Sequence, residues 1–490
     1  MTRVSDTAQD LGGAAARGSG ITLVAQAVRV GVHFASLVVL SRLLTPADFG
    51  LVAMVTALVG ISEVLRDLGL SMAAVQAPVL TRAQKSNLFW INSASGLVFA
   101  GAIFALAEPI ALLFGADQLV AITRAVAVVY LVNGIAAQFR AELNRDLQFG
   151  RLAVVDTVPQ IAGLAVAIWV AAIGGGYWAL VLQLIVYSAG ALVAAMALAR
   201  WWPGIPRRRA GMRPLITFGL SLTGTQAIGY FVRSVDTIAL GISTGATSTG
   251  LYNRAYQLVA APFAQLAAPL TRVAIPVLAR TWQTMPTRYE EILGKAQLVG
   301  CYAIAPLYAA LLGLAPSIVA VALGPGWGAA VPIVQALCIG GVFRALTQIS
   351  YWAYLSRGEA TKQLKVHAWF QPVIVIAVLV GLPWGPFGVA LGGSIGLLLY
   401  WVVSMIAAGR NLQIDAGALL RRATASILVL GVPIAALTSL AEWFVANPFG
   451  AIGAGLGVAA LYLAVLGLLS RRVRGDYAAL WNFVRKVRTR

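Results

Sequence analysis

The stretch Trp201-Trp202-Pro203-Gly204-Ile205-Pro206-Arg207-Arg208-Arg209-Ala210-Gly211-Met212-Arg213-Pro214 decides how this chain is read. It is the connector richest in arginine between two apolar runs, it holds three prolines, and an apolar run stands on either side of it, ending near residue 200 and resuming near 215. Proline and glycine stop a helix here, and arginines avoid the hydrocarbon core, so the chain pauses at a water-facing surface between two membrane crossings. Shorter basic connectors such as Arg421-Arg422 and Arg471-Arg472 repeat the pattern, alternating with connectors that carry almost no positive charge.

Composition supports the same reading. Hydrophobic residues make up 60% of the 490 and charged residues 11%, against roughly 25% in an ordinary soluble domain. Fifty glycines and thirteen tryptophans fit a polytopic membrane protein, whose helices tolerate glycine and whose interfaces favour amphipathic rings. The net charge of +19 would suggest nucleic acid in a soluble chain; in a membrane protein it orients the spans and meets anionic lipid, so no nucleic-acid partner is expected. Cys301 and Cys338 lie in apolar runs without a CxxC spacing, and two histidines are too few for an intramembrane zinc site, so no metal, cofactor or disulfide framework is expected. The first twenty residues are polar, and no cleavage site follows the first apolar run, which reads as a retained helix with the N-terminus in the cytoplasm.

A crossing needs about 20 residues of helix. Fourteen fit, at 21–41, 47–69, 87–113, 118–139, 153–173, 178–200, 215–240, 251–279, 296–323, 329–355, 363–382, 386–407, 423–444 and 449–469. Twelve would keep the same orientation. With both termini inside, 28 of the 36 basic residues fall on the cytoplasmic side and only Arg42 falls in an outer gap. The fold class is therefore an all-α polytopic membrane protein. Its parts are an N-terminal six-helix block (1–200), the basic linker (201–214), a second six-helix block (215–408), a further helix pair (409–470) and a basic tail (471–490). Tyr477, Leu480, Trp481, Val484 and Val487 recur in that tail at helical spacing, as in a helix lying on the cytoplasmic leaflet; a solvated tail is the alternative. An internal echo at an offset of 200 supports the two blocks: LSRLLTPADFGL from Leu40 and LGISTGATSTGL from Leu240 each join the first two helices of a block.

Seven arginines remain inside the spans. Arg66, Arg124 and Arg254 are expected near interfaces, where the charge reaches water. Arg29, Arg233, Arg272 and Arg344 lie deeper and are expected to face the bundle interior, either ion-paired or lining a wet cavity. Glu63, Arg66 and Asp67 are spaced for a local ion cluster, and Asp236, three residues after Arg233, is placed to satisfy it. Arg29 and His33 share a helix face without an acid, and the offset of 200 sets His33 opposite Arg233; His33 is equally a packing residue. A planar guanidinium suits phosphate, so Arg29, His33, Arg233, Arg272 and Arg344 are the candidate substrate-binding residues for a pyrophosphate. There is no phosphate loop, no HExxH and no recognisable nucleophile with base and orienter, so no catalytic residue is assigned and transport must run on a gradient.

The segment from Leu40 to Leu51, with Asp67-Leu68-Gly69-Leu70 after it, resembles the first hairpin of bacterial polysaccharide exporters, the oligosaccharide flippases of the multidrug, oligosaccharidyl-lipid and polysaccharide exporter superfamily. FRAELNRDLQF from Phe139 and GLYNRAY from Gly250 look like further signatures of the group. The resemblance implies two six-helix lobes around a central cavity, with an extra helix pair. It implies a polyprenyl-pyrophosphate-linked oligosaccharide as cargo, moved across the inner membrane by alternating access for exopolysaccharide, capsule or lipopolysaccharide assembly, beside a polymerase and export machinery. Pro46, Gly50 and Gly250 would then mark mobile, gating hairpins. A membrane polymerase or ligase of the same pathway would want a sizeable outer loop, and a cation-coupled exporter of the superfamily would want a deep carboxylate.

Overall fold

The computed structural model describes residues 24–77, 79–208, 210–470 and 473–476, and helix is the regular structure throughout them. In chain order the helices are α1 (Val24–Leu43), α2 (Pro46–Val59), α3 (Ile61–Asp67), α4 (Leu70–Gln76), α5 (Arg82–Ala105), α6 (Ala107–Phe114), α7 (Gln118–Arg145), α8 (Phe149–Ala172) and α9 (Trp178–Ala199). They continue with α10 (Arg213–Thr284), α11 (Tyr289–Gly313), α12 (Ala315–Ala322), α13 (Val331–Ser356), α14 (Ala360–Gly381), α15 (Gly385–Leu412), α16 (Ala416–Ser426), α17 (Val432–Phe444) and α18 (Pro448–Leu469).

Among the described residues eleven helical runs are long and apolar enough to cross a membrane, or twelve with the bent pair in α10. Two of the longest helical runs are broken. Ala360–Leu412 contains both α14 and α15, broken at Leu382–Trp384, and α10 leaves helical geometry at Gly245 (φ 79°, ψ −173°). Helical residues stand at each of the fourteen expected places, while the runs that are long and apolar enough to cross number eleven or twelve. Two of the expected spans are shorter than hydropathy suggested. The helix expected at 87–113 ends at Ala105 and that at 296–323 ends at Gly313, each followed by an eight-residue helix. The helix expected over 471–490 lies outside the described residues apart from Val473–Asp476, where the Tyr302 hydroxyl donates to Asp476 Oδ2 at 2.8 Å.

The chain divides into two compact units between Gly250 and Leu251. Each contains a long helix, an eight-residue helix and a second long helix: α5, α6 and α7 in the first, α11, α12 and α13 in the second. The sequence repeats there too, as LAEPIALLFG from Leu106 and LAPSIVAVALG from Leu314.

Local chemistry explains the first hairpin. Thr45 caps α2: its Oγ accepts from the Asp48 amide, while the Asp48 carboxylate accepts from the Thr45 amide at 2.9 Å. Pro46 occupies the first turn, where no amide donor is needed, so the letters TPAD encode a capping box. Gly60 separates α2 from α3, and the Tyr230 hydroxyl donates to Thr56 O at 2.8 Å beside the break. A further bend falls at Leu68 and Gly69, both with positive φ.

FRAELNR is used almost residue by residue in the first unit. Phe139 stacks edge-on against Phe89 and Trp201, both at 5.6 Å. Glu142 pairs with Lys85, and Arg145 Nη1 donates to the carbonyls of Ala74 and Ala77, each at 2.6 Å, closing the end of α4. The linker is strapped to the start of α5. Asn87 donates to Arg207 O at 2.7 Å and accepts from its amide at 2.8 Å, Trp90 Nε1 donates to Gly204 O at 2.9 Å, and Ser86 Oγ accepts from the Gly204 amide at 2.9 Å.

In the second unit Arg357 fastens several helix ends. Its guanidinium lies 3.8 Å from the Trp282 ring centroid and 4.5 Å from that of Tyr289, and Nη1 donates to Leu412 O. The Tyr289 hydroxyl shares a hydrogen with Ser356 Oγ at 2.7 Å.

Candidate functional site

The first unit contains a cavity of about 410 Å³ lined by Glu63, Arg66, Asp67, Ser71, Asn133, Arg140, Asn144 and Tyr187 among others. The bends at Gly60 and Gly69 bring α3 and α4 to its edge. On α7, Asn133, Ala137, Arg140 and Asn144 recur every three or four residues and so form one wall.

Arg66 is 4% exposed and donates to Glu63 at 2.8 Å, the pairing expected from their spacing. Asp67 instead accepts from Ser71 Oγ. Asn133 reaches Glu63 at 3.5 Å. Arg66 was expected near an interface with its charge in water; the fold buries it, and Glu63 neutralises it there.

Arg29 is half-buried. Its Nη1 donates to Asp156 Oδ2 at 3.1 Å and its Nη2 to Gln26 Oε1 at 2.7 Å. The same carboxylate accepts from Arg140 Nη2 at 2.5 Å through its other oxygen. No acid shares the helix face of Arg29, as read from the sequence, but one arrives from α8. Arg140 falls just past the span expected at 118–139, where hydropathy drops, whereas α7 runs on to Arg145. The polar spacing Asn133, Arg140, Asn144 was the signal that the helix continues. His33 is exposed one turn along α1 from Arg29, with its ring 6.3 Å from that of Phe34.

The second unit places Arg344 against tyrosines. Its Nη1 donates to the Tyr256 hydroxyl at 2.7 Å, its guanidinium lies 5.8 Å from the Phe263 ring, and Tyr256 stacks on Tyr252. Arg254, expected near an interface, is 7% exposed and donates to Gln257 at 3.0 Å, which in turn donates to Asn253 at 2.7 Å. Arg233 and Arg272 are exposed on their own units and belong to neither network. Asp236 accepts from the amide of Thr237 at 2.6 Å. Among the described residues no three His, Cys, Asp or Glu side chains stand close enough to hold a metal ion, and Cys301 and Cys338 are buried, free thiols.

Pro46, Gly50 and Gly250 meet at one backbone crossing. A Cβ on Gly50 would stand 1.7 Å from Ala246 O, and one on Gly250 would stand 1.8 Å from Pro46 O. The two contacts are exchanged by the same offset of 200 that relates the hairpins in sequence: 50 meets 246, and 250 meets 46. Two equivalent segments thus cross each other at their glycines, and only hydrogen fits between the backbones.

An all-helical chain with eleven or twelve apolar crossings among its described residues is a polytopic membrane protein by fold. A solved structure of the lipid II flippase MurJ, in an inward closed conformation, superposes with a TM-score of 0.71 at 13% identity, covering 91% of this chain and 98% of that one. The chain belongs to the polysaccharide biosynthesis protein family, whose family model matches residues 39–332. It is 22% identical to the lipopolysaccharide biosynthesis protein WzxC of Escherichia coli (strain K12), over 79% of each chain. It is 26% identical to the teichuronic acid biosynthesis protein TuaB of Bacillus subtilis (strain 168), over 61% of this chain and 62% of that one. The protein is a multi-pass bacterial inner-membrane protein.

Proposed function

We propose that the protein is a flippase that moves a polyprenyl-pyrophosphate-linked oligosaccharide from the cytoplasmic to the outer leaflet by alternating access, with both termini in the cytoplasm. The observation that carries this reading is the family membership together with charged, water-sized space inside an otherwise apolar helical unit. Similar chains are named for building lipopolysaccharide and teichuronic acid, and the chain of like fold for flipping lipid II. Such cargo is a long lipid with an anionic head and sugars. Arginine forks at Arg29, Arg140 and Arg344 suit its phosphates, and Asn133, Asn144, Tyr187 and Tyr256 suit its hydroxyl groups. Arg233, Arg272 and His33 remain candidates for the same cargo on the strength of depth and charge.

The crossing of Pro46–Gly50 with Ala246–Gly250 serves as the gate, since two backbones in contact form a seal that a small separation opens. Glu63, Arg66, Asp67 and Asp236 hold or tune this machinery. The membrane polymerase reading is less favoured, because the described connections on the proposed outer face, such as 43–46, 115–117, 173–177 and 445–447, run to only a few residues. The basic residues of the linker suit anionic lipid on the inner face, and the polymerase and export machinery of the pathway are the expected partners.

The test is complementation of a polymer-export defect by Arg29→Gln, Arg140→Gln, Arg233→Gln, Arg272→Gln and Arg344→Gln variants whose membrane insertion is verified. At least two should insert normally and fail to export. Full export by all of them would overturn the reading.

A further inference from the structure

The Glu63–Arg66 pair lies within one helix, whereas the pairing at Asp156 joins three. Arg29 on α1 and Arg140 on α7 approach different oxygens of this one carboxylate on α8, at 3.1 and 2.5 Å. The three side chains keep 27%, 34% and 19% of their surface for Arg29, Arg140 and Asp156, so the group is reachable rather than sealed. Arg140 lines the cavity of about 410 Å³, and among the described residues its guanidinium donates to Asp156 alone. Two cations therefore share one anion, so the trio itself carries one unmatched positive charge, with unused N–H groups on Arg140 at a cavity wall that Glu63, Arg66 and Asp67 also line.

Two guanidiniums held on either side of a pair of acceptor oxygens present the arrangement that a phosphate group would find, because carboxylate and phosphate offer the fork the same paired acceptors. Left without a counter-ion, two such cations between membrane helices would be costly. One carboxylate keeps them in place but neutralises only half of their charge. A diphosphate, with at least two negative charges, neutralises all of it.

We propose that Asp156 is an internal stand-in for phosphate: it holds Arg29 and Arg140 apart in the cargo-free protein and is displaced from them when the diphosphate of the cargo is loaded. The site lies toward the start of α8 and the end of α7, which the proposed orientation puts on the cytoplasmic side, where cargo is collected. The proposal rests on the flippase reading above and adds to it a loading site with a built-in competitor.

The experiment measures binding of inorganic pyrophosphate to the purified full-length protein in lipid nanodiscs by titration calorimetry. Asp156→Asn, which keeps the shape of the side chain, should bind pyrophosphate about tenfold more tightly than the wild type, equivalent to about 1.4 kcal/mol. Asp156→Ser serves as a second neutral variant with the same expected gain, and adding Arg140→Gln to either should abolish it. If the neutral variants bind no more tightly than the wild type while Arg29→Gln and Arg140→Gln weaken binding, the site is real and Asp156 is not its competitor, which overturns the inference alone. Binding indifferent to Arg29→Gln, Arg140→Gln and Arg344→Gln, or absent in every variant, overturns the flippase site and the inference with it.

Discussion

Replacing Gly250 by alanine tests the gate at its narrowest point. The added Cβ would stand 1.8 Å from Pro46 O and 2.9 Å from Gly50 N, so the two backbones must separate by more than about an ångström before the contact becomes tolerable. Alanine is the better helix former by about 1 kcal/mol, which favours the variant. Overpacking costs about 1–3 kcal/mol, and here the obstacle is backbone on both sides, which has no rotamer to change, so the clash wins. A net penalty of about 2 kcal/mol on the crossed state shifts its equilibrium with an open state roughly 30-fold. Thr249 is fully buried beside the crossing, and both natural cysteines are buried, so a Thr249→Cys reporter has little background. A membrane-impermeant maleimide added to whole cells should label that reporter at least about tenfold faster in the Gly250→Ala protein, with polymer export reduced. Gly50→Ala should act alike, and the double variant should fall short of the sum because the two residues share one contact. Gly101→Ala, where the new methyl meets nothing within 4 Å, is the control and should change neither. Unchanged melting and unchanged labelling in Gly250→Ala would refute the crossing as a gate.

Arg357→Ala removes two ring contacts and a carbonyl partner at once. It should cost about 2–4 kcal/mol, read as a lower melting temperature, with Arg357→Lys recovering part of the loss. Glu63→Gln leaves the buried Arg66 without its counter-ion, but Glu63 is itself 45% exposed, so the loss should be about 1 kcal/mol, and Glu63→Gln with Arg66→Met should be milder; equal additive losses in a double-mutant cycle would show that the pair is not coupled. Asn87→Ala unstraps the linker and should speed tryptic cleavage at Arg207 and Arg208 several-fold, without altering the melting of the helical units by more than about 2 kcal/mol. For orientation, Gly175→Cys should be labelled from outside intact cells and Arg208→Cys should not; the reverse would invert the topology.

Much of the fold was legible because hydropathy is a local property. Fourteen apolar runs and the basic linker can be read without knowing what touches what, and each run is matched by a helical segment. The Glu63–Arg66 pair was legible for the same reason, since three residues on a helix bring the two to one face. The depth of an arginine was harder to read. Arg66 and Arg254 stand near the ends of hydropathy windows and were placed at interfaces, yet they are buried, because burial depends on which neighbouring helix covers that end. Arg140 was missed because the polar face of α7 continues past the point where mean hydropathy falls.

The sequence by itself determined the class of protein, the placing of its helices and the repeated hairpin with glycine at matching positions. Only the tertiary structure decided what those residues meet. Asp156 lies 127 positions from Arg29, and Tyr230 lies 174 from Thr56, the residue whose carbonyl it satisfies. Spacing along a helix fixes neighbours three or four residues away. A partner more than a hundred residues distant is chosen by how helices pack, and in a bilayer that packing is selected by close backbone contact and by the need to pair buried charge. The local pattern could therefore show that Arg29 lacked an acid on its own helix face, while the acid that answers it became visible only once α1, α7 and α8 were brought together.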